Sequence, residues 1–153
     1  MKRNTNILQI ILNALKRFKM TNTVTTDLKL KYFKIGEFDS PDEPGSGVNM
    51  DLNFLKKLDK AREIAGCKFR INSAYRTQKH NLKVGGRFGS SHKKIPCKAV
   101  DIAYSGSRER YLILSALMKV GINRIGLGNT FIHADKDEEK EIENGSVIWT
   151  YKY

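Results

Sequence analysis

The sequence predicts an α+β domain: a small, mostly antiparallel sheet flanked by helices. Residues 52–65 and 107–120 repeat apolar side chains at helical spacing. Short segments at 68–76, 98–104, 123–127, 130–135 and 146–151 alternate apolar and polar residues or carry β-branched ones, as strands do. The last three strands follow one another without an intervening helix, which argues against a regular βαβ repeat.

Taken in order, residues 1–22 form a basic amphipathic segment and residues 23–153 the folded domain. Lys2, Arg3, Lys16, Arg17 and Lys19 occur there without an acid, beside an apolar stripe from Ile7 to Phe18. An amphipathic helix that packs on the domain or touches an anionic surface is expected. There is no clear signal peptide, because Lys16-Arg17 stands where a small-residue cleavage site would be. A start at Met20 stays open. Residues 37–49 hold two of the three prolines and read as a loop. Asn49 or Asp51 then caps a helix through Leu52, Leu55, Leu58, Ala61, Ile64 and Ala65, which Gly66 ends. Residues 84–98 are rich in Gly, Ser and Lys and read as a long loop of the kind that often carries function. Residues 135–143 carry six acids and read as a solvated acidic loop.

The chain of 153 residues has room for one domain with a real core, and no run is long and apolar enough to span a bilayer. A monomer is expected. Two cysteines, Cys67 and Cys97, exclude a disulfide framework and a thiolate-rich zinc knuckle. The net charge of +12 should draw the protein to polyanions: nucleic acid, an anionic membrane or an acidic wall polymer. Nucleic acid is the least expected partner, because no recognition-helix or ribonucleoprotein motif is present.

Three histidines occur. His80 lies in a polar stretch and reads as a surface or helix-end residue. In segment 130–135, Phe131, His133 and Asp135 share a strand face; in 98–104, Ala99, Asp101 and Ala103 do, the alanines leaving room beside the carboxylate. His92 ends the glycine-rich loop. Two imidazoles and a carboxylate suit catalytic zinc, which takes three protein ligands and keeps one position open.

The segments SAYRTQKHNLKVGG, SSHKKIPCKAVDI and RIGLGNTFIHAD, in that order, resemble the zinc D-alanyl-D-alanine carboxypeptidase family. That family includes phage L-alanoyl-D-glutamate endopeptidases and shares a zinc-site architecture with hedgehog domains. The resemblance covers roughly residues 30–151 and implies a hedgehog/DD-peptidase-like fold with one zinc ion held by His92, Asp101 and His133. It places Arg76 as the residue that binds a substrate carboxylate or steadies an oxyanion. Ser90 would order the loop or touch substrate. Asp135 is either the general base or the acceptor that orients a ligand histidine. Tyr75 would donate near the oxyanion or pack; Trp149 and Tyr151 would line the cleft or pack in the core.

Two departures stand out. His92 and Asp101 lie further apart than is usual in the family, with Lys93–Cys97 replacing a short glycine turn; were Cys97 a ligand, the site would be closed. Thr130 stands where several relatives carry an acid, which leaves Asp137, Glu138 and Glu139 as fallback bases. The resemblance implies a metallopeptidase, a D,D-carboxypeptidase or dipeptidase or an L,D-type endopeptidase, acting on peptidoglycan stem peptides or cross-links. A phage endolysin would wait in the host cytoplasm until released to the wall; a bacterial enzyme would work in the periplasm or wall. A zinc-containing wall-binding module without catalysis, or a basic nucleic-acid-binding protein, are the alternatives.

Overall fold

The computed structural model describes residues 29–151. The N-terminal segment 1–22 lies outside the described residues. Five strands form one sheet: β1 (Arg70–Ser73), β2 (Ala99–Ala103), β3 (Arg124–Leu127), β4 (Phe131–Asp135) and β5 (Val147–Thr150), in spatial order β1-β2-β4-β3-β5. All neighbours are antiparallel except β3 and β5, which are parallel. The helices are α1 (Leu52–Ala65), α2 (Gln78–Lys83), α3 (Gly106–Lys119) and α4 (Glu138–Asn144).

Helix α1 starts where the Asp51 carboxylate accepts from the Phe54 amide at 2.8 Å and stops at Gly66, whose φ of 62° suits glycine. The apolar stripes of α1 and α3 (Leu55, Leu58, Ile113, Leu117) join Val100, Ile102, Ile125, Ile132 and Ala134 of the sheet in one core. Strand side chains alternate, so the residues between these face the other way. That second face carries the site.

Three expectations need correction. The first strand covers only Arg70–Ser73, so Tyr75 and Arg76 lie beyond it. Residues 78–83, given no element from the sequence, are α2, capped by the Thr77 hydroxyl accepting from the His80 amide. Part of the acidic stretch is a helix rather than a solvated loop, and Asp135 and Asp137 are buried. Of the two places expected for Trp149 and Tyr151, cleft or core, the structure gives the cleft: both line a cavity. No helix among the described residues is long and apolar enough to cross a membrane.

Candidate metal centre and its cavity

One register level crosses the whole sheet. Ser73 pairs with Asp101, Asp101 with His133, His133 with Gly126, and Gly126 with Trp149. Paired residues share a face, so strand pairing alone sets Asp101 beside His133. His92 comes from outside the sheet, on a short 3-10 turn (Ser91–Lys93) capped by Ser90. The Arg76 amide donates to the His92 carbonyl at 2.9 Å and pins that turn against the end of β1.

The three side chains converge. His92 Nε2 lies 3.2 Å from His133 Nδ1 and 3.3 Å from Asp101 Oδ1, and His133 Nδ1 lies 2.9 Å from Asp101 Oδ1. The outer partners fix both tautomers. His92 Nδ1 faces the Ala74 carbonyl at 2.5 Å, which can only accept, so that nitrogen carries the proton. His133 Nε2 donates to Asp135 Oδ2 at 2.9 Å. Two imidazole lone pairs and a carboxylate oxygen are thus aimed at one another in a buried place, an arrangement that suits a cation. Their spacing also fits: ligands about 2.0–2.1 Å from a tetrahedral zinc stand about 3.3 Å apart. His92, Asp101 and His133 form the one group among the described residues able to hold a metal.

Burial works to lower the pKa of His133, but Asp101 and Asp135 outweigh it and raise the pKa. Burial holds the pKa of His92 below its ordinary value. Burial opposes the charged form of Asp101 too, yet the His133 imidazole beside it holds its carboxyl well below the usual carboxylate range.

The surrounding polar groups are already engaged. Arg76 donates from Nη2 to Asp101 Oδ2 at 2.5 Å and from Nε to the Ser73 hydroxyl at 2.6 Å, so it holds the Asp101 carboxylate in place. Asp135 is 1% exposed. Its Oδ1 accepts from Arg124 Nε and the Asp137 amide, both at 3.0 Å, and its Oδ2 accepts from His133. An oxygen free to take a proton from the cavity is missing, which counts against Asp135 as base. The fallback bases fare no better. Asp137 is buried against Ser91 and Lys94, Glu138 and Glu139 pair outward with Lys98 and Lys94, and Thr130 sits in an exposed turn.

The cluster lies at the wall of a cavity of about 850 Å³. Arg76, Ser90, Trp149 and Tyr151 line it; Tyr75 does not and is buried in the core, where desolvation raises its phenol pKa. Trp149 leans to within 5.7 Å of the His133 ring, because a side chain at Gly126 would meet its indole at 2.7 Å. Cys97 is fully buried, its Sγ directed at the Ser91 and Ala99 carbonyls, and desolvation pushes its thiol up to about 12; it is not a member of the cluster. His80 sits on α2, away from the metal group.

Three cationic lining residues were not singled out from the sequence: Arg87, Arg124 and Lys140. Arg124 was legible in principle, since it alternates with Gly126 on the face shared with His133. Lys140 was not, because its helix has no buried stripe.

The sequence profile of the family described as Peptidase M15 matches residues 31–135, well over half of the chain, and spans every residue of the metal cluster. No curated protein matches the chain. The chain belongs to the peptidase M15 family of metallopeptidases.

Proposed function

We propose that the chain is a zinc-dependent peptidase that hydrolyses D-amino-acid-containing stem peptides or cross-links of peptidoglycan. The observation that carries this reading is the convergence of His92, Asp101 and His133 at the wall of a large cavity, in a peptidase M15 chain. When bound there, zinc supplies acidified water and carbonyl polarisation. The residues of the chain position and charge the site. Ala74 and Asp135 keep both histidine lone pairs turned inward. Arg76 fixes the second oxygen of Asp101 and, as a guanidinium at the cavity wall, adds positive charge where an oxyanion would develop. Trp149 offers an apolar face for the peptide, and Ser90 holds the turn that presents His92. Release to the wall as a phage endolysin fits the +12 charge, which would concentrate the protein on an anionic wall polymer.

A second reading has one observation in its favour: among the described residues, Asp101 and Asp135 are the carboxylates lining the cavity, and both are engaged. A zinc-containing wall-binding module would tolerate that. Incubating the zinc-loaded protein with peptidoglycan sacculi and synthetic stem peptides, with mass spectrometry of the products, separates the two. Cleavage abolished by a chelator and restored by zinc is expected. A zinc-loaded protein that binds sacculi and cuts nothing would establish the module.

A further inference from the structure

The cavity is lined by four cationic side chains, Arg76, Arg87, Arg124 and Lys140, and by two carboxylates, Asp101 and Asp135. Arg76 is held by Asp101 and Arg124 by Asp135. Arg87 has no carboxylate partner among the described residues. Lys140 stands 3.6 Å from Asp137 Oδ2, a loose pair beside the 2.6 Å contact of Lys94 to Oδ1, and it donates to the Gly89 carbonyl and the Ser91 hydroxyl. The uncompensated positive charge of the cavity therefore sits on Arg87, and Lys140 is more loosely paired than Arg76 or Arg124.

The position of Arg87 is built. Asn81 is fully buried, its Nδ2 donates to the Arg87 carbonyl at 3.1 Å, and the Gly86 amide returns a bond to the Asn81 carbonyl at 2.8 Å. A side chain at residue 86 would strike the Asn81 carboxamide at 2.2 Å. A buried amide and an obligatory glycine thus hold the backbone from which the Arg87 side chain reaches the wall. Two residues on, Lys140 bridges from α4 to the same loop at Gly89. Arg76, the residue expected to take a substrate carboxylate, already has one in Asp101.

We propose that Arg87 and Lys140 form an anion subsite that takes a free carboxylate of the peptide, apart from the bond to be cut. This deepens the peptidase reading and rests on it for the identity of the ligand as a wall peptide. A guanidinium and an ammonium lining one cavity suit a carboxylate and leave a carboxamide without charge complement. The subsite selects wall peptides whose acidic side chains or termini are not amidated.

Trp149 is the single tryptophan of the chain and lines this cavity, so its emission reports binding directly. The zinc-loaded full chain is titrated with a D-amino-acid stem peptide carrying free carboxylates and with the same peptide amidated at each. The free acid is expected to bind about tenfold more tightly at low salt, with the gap shrinking as salt rises. Arg87→Ala and Lys140→Met should each narrow the gap, and Arg87→Glu should reverse it. Arg87 is exposed on a loop anchored through its backbone, and far-UV circular dichroism verifies that the variants fold. Equal binding of the two peptides by the wild type, or a gap that survives Arg87→Glu, overturns the subsite. The gap without cleavage leaves the subsite standing and sinks the peptidase; cleavage without the gap does the reverse.

Discussion

At the scale of the residue, Asp135 is the informative case. It is buried, and three donors occupy it: His133 Nε2, Arg124 Nε and the Asp137 amide. A carboxylate so held orients His133 and raises its basicity as a ligand. Asp135→Asn keeps the shape and removes the charge. Its expected effect is a zinc affinity about 10–100-fold weaker, with activity largely recovered when zinc is saturating. A general base would give the opposite pattern, with zinc affinity intact and turnover lost at every zinc concentration. Zinc titration against a competing chelator, run beside peptide hydrolysis, distinguishes the two. The sequence could place Asp135 on the face of His133 but not choose its role. Strand periodicity says where a side chain points, and only the pairing of β3 with β4 brings Arg124 beside it.

At the scale of the element, what the sequence revealed was what apolar burial holds. Helices α1 and α3 carry buried stripes and were legible within about a residue or two. Helix α4 buries no residue and is held by ion pairs and polar bonds instead: Lys98 with Glu138, Lys94 with Asp137 and Glu139, and Lys140 to Gly89 and Ser91. Helix α2 has six residues and buries Asn81 alone. Periodicity has nothing to detect in either. The ion pairs clasp α4 onto the loop that carries His92. Asp137→Asn is therefore expected to cost about 1–3 kcal/mol in urea unfolding and to weaken zinc binding by loosening that loop. Burial works to raise the Asp137 pKa, but Lys94 and Ser91 outweigh it, leaving the pKa below its ordinary 3.8. Its contribution is then complete above pH 3.8 and fades as the pH falls through the depressed value. The stability gap between wild type and variant should accordingly narrow on acidification below 3.8. Strand β3 offers a different test. Gly126→Ala would set a methyl 2.7 Å from the Trp149 indole, at a cost of about 1–3 kcal/mol. The expected outcome is a shifted Trp149 emission and weaker peptide binding with zinc still bound; an unchanged emission would show that Trp149 does not depend on that gap.

At the scale of the whole molecule, the sheet joins the site to the stability of the fold. A single register level crosses all five strands through Asp101 and His133, so a cation bound to those residues ties β2 to β4 and the loop of His92 to both. A ligand that binds only the folded state stabilises it by mass action, about 2.7 kcal/mol at a hundredfold excess over Kd. For a chain of 153 residues that is about 5–11 °C in Tm. Chelation at pH 8 should lower the Tm by that amount, and zinc should restore it. The pH dependence has a definite sign. His133 has its pKa raised above 6.5 in the bare cluster, so its charged form stabilises the metal-free fold fully below 6.5 and ceases to do so as the pH rises through the higher folded value. Acidification also sets protons against zinc for the same lone pairs. Both effects act in one direction, so the drop in Tm on chelation should shrink between pH 8 and pH 6. Calorimetry at the two pH values, with and without chelator, measures it. A drop that stays constant or grows toward pH 6 would mean that zinc and the proton do not compete for this cluster, and the metal would have to be sought elsewhere.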